Sequence, residues 1–185
     1  MLVALPVIVF IIVYRAIKVA VGFEVLHSTA LFNILKGLRA GINEEAAFRA
    51  IAVALLLRQY RRADNIWVPA VFTGVFFGCT HFLNLLSGDE FFNVLVNVVF
   101  ASSMGVILGV IFTFSGNLWP VVLIHSLYDT LAFLAEDMDM PDWVVYTEVG
   151  IFIVIMLAYL LALHRKRDSL AAYWNTKWKN AEPLK

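Results

Sequence analysis

Long uninterrupted runs of apolar residues, each close to the length of a membrane span, dominate this chain. Residues 67–86, 91–114 and 143–163 are three of them, and each ends in charged or turn-forming residues. A helix needs about 20 mainly apolar residues to cross a bilayer. Because 62% of the residues are hydrophobic and only 15% are charged, a water-soluble fold could not cover its surface. The sequence therefore predicts an all-α integral membrane protein.

The apolar segments predict a polytopic transmembrane bundle of about six to seven helices. They are residues 1–14, 19–35, 42–57, 67–86, 91–114, 118–135 and 143–163. Nothing divides the chain, so residues 1–185 are expected to form one membrane domain, with an interfacial or disordered tail at 168–185. The first segment lacks a positive n-region and a cleavage site, which favours a retained span over a signal peptide. No basic patch suggests nucleic-acid binding, so the expected surroundings are the lipid bilayer.

A first polar cluster opens the segment at 42–57. Glu45 and Arg49 are four residues apart, so they share a helix face and can form an ion pair. Glu44 points about 100° away around the helix and is left free of that partner. A carboxylate beside another carboxylate holds its proton more tightly, which makes it a candidate base. The alternative is that both acids only favour a helix N-terminus.

Two further clusters place histidines inside apolar helices. His81 follows Phe77 in the segment at 67–86, where Gly74 and Gly78 would allow close helix approach. A histidine that only forms a hydrogen bond between helices is the alternative there. Cys79 is expected to be a small packing residue, because no neighbour would activate it as a nucleophile.

The third cluster lies in the segment at 118–135. His125 and Asp129 are four residues apart and face the same way. Asn117 is a predicted N-cap, and Pro120 is compatible with a first turn. A self-satisfied His–Asp pair is the less economical interpretation, because burying such groups costs at least ~2.5 kcal/mol each on insertion scales.

Together the clusters predict one polar cavity among membrane helices, whereas the remaining polar residues are weaker signals. Asn93 and Asn97 either line this cavity or form hydrogen bonds between helices. Glu24 and His27 could pair at an interface, and Trp174 is expected to be an interfacial anchor.

The order Glu-Glu-x-x-x-Arg, Phe-x-x-x-His and His-x-x-x-Asp resembles the CPBP (Abi) family, which comprises CAAX proteases and bacteriocin-processing enzymes. The stretch SGNLWPVVLIHSLYDT is similar to the family's last motif. The resemblance covers residues 43–130, about half of the chain. It implies an intramembrane glutamic-type endopeptidase, a multi-pass protein of the cell (inner) membrane in a prokaryote. The implied substrate is a membrane-anchored protein or peptide tail, with prenylated tails, bacteriocin leaders and sorting signals all open.

Carried over position by position, the resemblance implies a role for each motif residue. Glu44 would activate water with the help of His81, and His125 with Asp129 would support the oxyanion. Asp129 stands where some members have Asn, and an Asp donates only when protonated, which favours a role in orienting His125 instead. The supporting positions are Glu45, Arg49, Phe77 and Asn84.

Three alternatives remain open beside this interpretation, one of which is a non-catalytic membrane partner that has kept the motif. His81, His125 and Glu44 could hold a catalytic zinc, which takes three protein ligands and a water. The chain has no His-Glu-x-x-His motif, and the spacing of these residues does not decide between the two versions. Metal-independent, glutamate-based hydrolysis with no cofactor is preferred. A proton- or ion-coupled transporter would also use intramembrane acids and histidines, although the chain shows no inverted repeat.

Charge flanks predict an orientation that conflicts with a shared site. The arginines at 58–62 and 165–167 would be cytoplasmic, and the acids at 89–90 and 136–142 outside. At ~1.5 Å per residue, His125 would lie about 10 Å and His81 about 21 Å from the cytoplasmic face. Glu44 would begin its segment at the opposite face. Tilted, recessed or re-entrant helices would be needed to bring the three together.

Overall fold

The structure, a computed structural model, describes residues 6–7, 9–10, 13, 30–134 and 141–179. All regular elements in these ranges are helices. In chain order they are α1 (Ala30–Glu45), a π-helical segment (Ala46–Val53), α2 (Ala54–Gln59), α3 (Val68–Thr80), a 3₁₀ helix (His81–Ser87), α4 (Phe91–Ser115), α5 (Trp119–Leu134) and α6 (Asp142–Lys177). The predicted all-α fold is confirmed.

Three stretches of described helix are long and apolar enough to cross a membrane. They are Val68–Ser87, Phe91–Ser115 and Asp142–Lys177, and α5 is a shorter apolar helix. Large hydrophobic side chains also face outward, with Leu86 85% and Val154 66% exposed. Such surfaces are unfavourable in water and suit lipid, so the chain is a membrane protein built as a helix bundle.

The predicted break between the segments at 19–35 and 42–57 is wrong. Helical backbone runs without interruption through α1, the π-helical segment and α2. These residues, 30–59, form one long helix, named here the first helix. Lys36, which had been expected to end a span, lies inside α1 with its ammonium 3.9 Å from the centroid of the Phe133 ring. The acids therefore do not begin a helix. Glu44 lies near the middle of this long helix, which removes the expected separation from the two histidines.

The first helix packs against α5 in antiparallel fashion through two glycines. A Cβ on Gly41 would lie 2.6 Å from the backbone nitrogen of Ser126, and one on Gly37 would clash with the backbone of Thr130. α5 itself begins as predicted, with the Trp119 N–H donating to Asn117 Oδ1 at 3.0 Å. This close contact brings the middle of the first helix against the middle of α5.

α3 and α4 form the other close antiparallel pair. A Cβ on Gly74 would lie 2.7 Å from Cα of Val106, and one on Gly78 would lie 2.7 Å from the carbonyl oxygen of Val98. The close approach predicted for these two glycines is confirmed. The pair carries His81 at the point where α3 tightens into the 3₁₀ helix.

α6 packs on α4 and continues well past its apolar part. Residues 168–177, expected to be interfacial or disordered, are helical. Trp174, expected to be an interfacial anchor, is 1% exposed and donates its indole N–H to the carbonyl oxygen of Thr113 at 2.9 Å. The helix continues here because an aromatic residue in the polar stretch packs against the end of α4.

Several sequence-based expectations lie outside the described residues. These are most of the segment at 1–14, the start of the segment at 19–35, the Glu24–His27 pair, the acidic loop at 136–140 and the end of the tail at 180–185.

Candidate active site

Glu45 and Arg49 form a fully buried ion pair. Arg49 Nη1 donates to Glu45 Oε1 at 2.7 Å, and both side chains are 0% exposed. Arg49 Nη2 donates to the carbonyl oxygen of Gly105 at 2.9 Å, which links the first helix to α4. The four-residue spacing predicted the contact between the two side chains. A buried charge needs such compensation, so this pair fixes the position of Glu45.

Glu45 in turn orients His125. Glu45 Oε1 lies 2.7 Å from His125 Nδ1, and the histidine is 3% exposed. A carboxylate that already accepts from arginine accepts here as well, so the hydrogen belongs on Nδ1. The ring is thereby held with Nε2 pointing away from the ion pair. Glu44 Oε2 and Asp129 Oδ2 each lie 3.5 Å from Nε2.

The segment that carries Arg49 is a π-helix. The Ala54 N–H donates to the carbonyl oxygen of Arg49, a five-residue step. Such wide turns occur mostly as short insertions in α-helices, frequently at functional sites. The widening begins directly after Glu45, where the helix passes from the acidic pair to its arginine.

His81 approaches from α3. Its Nδ1 lies 3.2 Å from the carbonyl oxygen of Phe77, four residues earlier in the chain. With the hydrogen on Nδ1, the free nitrogen Nε2 is an acceptor. Among the described residues His81 forms no ion pair with a carboxylate. The Phe77 ring lies between the two histidines, 5.2 Å from His81 and 5.7 Å from His125 between ring centroids.

One cavity of about 730 Å³ collects these groups. The four residues predicted to act on substrate all line it, and so do two of the predicted supporting residues: Glu44, His81, His125 and Asp129, with Phe77 and Asn84. The other two supporting residues, Glu45 and Arg49, lie behind the wall. Glu44 is 40% exposed, whereas Glu45 is 0% exposed. The sequence therefore predicted which residues meet, and their catalytic roles stay predictions.

Two cavity residues were missed by the sequence analysis. Glu148 on α6 is 6% exposed and accepts a hydrogen bond from the hydroxyl of Tyr128 at 3.0 Å. Both line the cavity. A lone acid in an apolar helix was the available signal for Glu148, whereas Tyr128 had none beyond its position beside Asp129.

The remaining candidates for chemistry lie elsewhere or stay open. Cys79 is exposed rather than packed, and it does not line the cavity. Within the described ranges, no three His, Cys, Asp or Glu side chains are arranged to hold a metal ion. The zinc alternative with His81, His125 and Glu44 stays a prediction.

A comparison with protein-family models matches residues 26–131, more than half of the chain, to the type II CAAX prenyl endopeptidase Rce1-like family. The matched range contains all eight predicted site residues, from Glu44 to Asp129. No curated protein and no solved structure gives a significant match. On this match the chain, a membrane helix bundle with paired acids and histidines at one cavity, belongs to the Rce1-like family of type II CAAX prenyl endopeptidases.

Proposed function

We propose that this chain hydrolyses a peptide bond of a membrane-associated substrate inside the cavity, with Glu44 as the base that activates water. One observation carries the proposal. A half-buried carboxylate, Glu44, lies 3.5 Å from the imidazole of His125 on the wall of a 730 Å³ cavity in a bundle with lipid-suited surfaces. Such charges are costly within a membrane and mark function.

Glu44 suits the role of base because it is the carboxylate with room for water. Glu45 is occupied by Arg49 and His125, whereas 40% of Glu44 is open to the cavity. Glu44 accepts a proton from water, and the resulting hydroxide attacks the carbonyl carbon of the substrate. The Nε2 atom of His81 accepts a hydrogen bond from the other O–H of that water and so orients it.

His125 suits the role of donor to the oxyanion. When the ring is protonated on both nitrogens, Nδ1 donates to Glu45 and Nε2 donates to the oxygen that gains the carbonyl electron pair. Asp129, 3.5 Å from Nε2, orients the ring as a carboxylate. The C–N bond then breaks, and the amine nitrogen takes the proton held by Glu44. Water is consumed, and the products are a carboxylic acid and an amine.

The substrate class follows from the family and the setting. A membrane-associated peptide fits a cavity enclosed by membrane helices, and prenylated C-terminal tails are the first candidates because of the family match. We further propose a multi-pass protein, in the cell (inner) membrane if the source is prokaryotic, that works without a metal.

The test is cleavage by the purified full chain in lipid nanodiscs. Fluorogenic peptides with and without an S-farnesyl cysteine near the C-terminus serve as probes. Glu44→Gln keeps the size of the side chain and removes the proton acceptor, so kcat is expected to fall by about 10²–10⁴-fold. Glu90→Gln, the same change at an exposed position outside the cavity, is the matched control and should leave kcat unchanged.

Undiminished cleavage by Glu44→Gln would remove the mechanism. The same assay with chelator-treated protein, with its metal content measured, addresses the zinc alternative, and full activity is expected. Loss of activity restored by zinc would favour the metal version. Proton flux in liposomes without cleavage of any probe would favour a transporter.

A further inference from the structure

Three asparagine side chains line the cavity, and the mechanism gives them no role. Asn84 lies in the 3₁₀ helix, and Asn93 and Asn97 lie in α4. None of the three carboxamides forms a hydrogen bond with any described residue, so within the described ranges Asn93 and Asn97 do not form the interhelical hydrogen bonds that the sequence left open. α4 is one of the three membrane-spanning candidates. Polar groups kept unpaired in such a helix need water or a ligand as their partner.

The spacing of these asparagines matches that of an extended peptide. Asn93 and Asn97 are four residues apart on one helix, a rise of about 6 Å. Two residues of an extended chain span about 6.6–6.8 Å, and alternate peptide groups face the same side. A carboxamide carries both a donor and an acceptor, which complements the C=O and N–H of a peptide group. A substrate lying along α4 in extended form therefore meets one asparagine at every second residue.

The asparagines also lie beside the proposed reaction centre. A Cβ on Gly78 would meet both Val98 and Ser102, so Gly78 of α3 lies level with about residue 100 of α4. Because these helices are antiparallel, His81, three residues on, comes level with about Asn97. In a 3₁₀ helix residues three apart face the same way, so Asn84 follows His81 on one face and comes level with Asn93. The three asparagines thus continue the cavity wall from His81 toward the start of α4.

We propose that Asn84, Asn93 and Asn97 form a main-chain binding wall that holds the substrate in extended form next to the scissile bond. This proposal rests on the proposed function, because it assumes that the bound chain is hydrolysed. Carboxamides bind the peptide groups of a substrate whatever its side chains are, so the wall favours substrates whose backbone N–H and C=O groups are accessible. A substrate segment in helical form has its backbone groups already paired and cannot use it. The substrates that fit are unwound or terminal tails.

Binding to the inactive Glu44→Gln protein tests the wall without requiring hydrolysis. The probe is a short fluorescent peptide with an S-farnesyl cysteine, and Kd is measured in nanodiscs. In that background Asn93→Leu and Asn97→Leu keep the approximate size and remove the hydrogen-bonding groups. Each is expected to raise Kd about 5–150-fold, because a peptide group of the probe loses its hydrogen-bond partner. Asn65→Leu, the same change at an exposed turn position outside the cavity, should leave Kd unchanged.

Backbone-modified probes separate a direct contact from a general disturbance of the fold, and they also work on protein with unaltered asparagines. Replacing one amide of the probe by an ester, position by position, removes a single N–H. The ester that faces Asn97 should weaken binding to the protein with Asn97 and have little further effect on Asn97→Leu. In the active protein the same asparagine variants should raise KM and leave kcat within about twofold.

Three results would overturn the wall. They are an unchanged Kd in both asparagine variants, an equal rise in Asn65→Leu, or ester effects that add to those of the variants at every position. These outcomes are distinct from a failure of the proposed function. Probe binding that depends on the asparagines, in a protein that never cleaves, would leave the wall in place and remove the hydrolysis.

Discussion

Glu44 and Glu45 are adjacent in the chain, yet they belong to two different regions of the molecule. Glu45 belongs to the buried network, defined here as Glu45, Arg49 and the Nδ1 side of His125, where every charged group touches another. Glu44 belongs to the cavity wall, with 40% of its side chain exposed and its Oε2 atom 3.5 Å from Nε2 of His125. The buried network fixes positions, whereas the cavity wall keeps a carboxylate available for chemistry.

The comparison teaches why a membrane protein would carry both acids. A buried charge whose partners are all protein groups is stable but cannot react with a substrate. A charge exposed to the cavity can react, but few contacts hold it in place. One imidazole joins the two cases, because His125 contacts Glu45 through Nδ1 and faces Glu44 through Nε2. The stability of the bundle and the chemistry of the cavity should therefore respond to different substitutions.

The largest effect on stability is expected from Arg49→Met. It removes the cation and leaves Glu45 buried without its main partner, which costs about 3–5 kcal/mol of unfolding free energy. The measurement is reversible unfolding in mixed detergent micelles. Adding Glu45→Leu to this variant should recover part of the loss, because the unpaired charge is removed. If Arg49→Met unfolds like the original protein, the buried network is not what holds this region together.

An intermediate effect is expected from Gly41→Ala. The new methyl group would lie 2.6 Å from the backbone nitrogen of Ser126, so α5 must move away from the first helix. The expected loss is about 1–3 kcal/mol, together with reduced cleavage as His125 retreats from both acids. Gly150→Ala is the matched control, because nothing lies within 4 Å of its Cβ position. Equal behaviour of the two variants would contradict the role given to this helix contact.

The smallest effect on stability is expected from Glu44→Gln. Because this carboxylate is exposed to the cavity and forms no short ion pair with a described residue, the unfolding free energy of the variant should stay within about 0.5 kcal/mol of the original. Unfolding measured beside the cleavage assay gives the answer directly. A loss comparable to that of Arg49→Met would place Glu44 in the buried network and erase the distinction between the two acids.

Much of the site was predictable because charged residues are rare in this chain. Helical spacing predicted the contact of Glu45 with Arg49, and it separated Glu44 from that pair. The polar residues of three apolar segments could then be expected to share one cavity. The segment limits at 67–86, 91–114 and 118–135 were also close to the observed helices, since each ends at residues that interrupt an apolar run.

Other features depended on contacts that no local pattern reveals. The sequence predicts the end of a span at Lys36, whereas the residue lies within a continuous helix with its ammonium over the ring of Phe133. The polar stretch at 168–177 is helical because Trp174 packs against the end of α4. Both involve partners distant in sequence, and the π-helical turn leaves no signature in hydrophobic periodicity.

The ring of Phe77 has a consequence for how the site can move. Its edge contacts involve both imidazoles, and the guanidinium carbon of Arg49 lies 5.3 Å from its centroid. Three groups from three separate segments thus rest against one rigid hydrocarbon plane. A shift of α3 displaces this common support for both histidines at once, so their spacing reflects the volume of one side chain. Phe77, a residue that can neither gain nor lose a proton, thus limits how far the two histidines can move relative to each other.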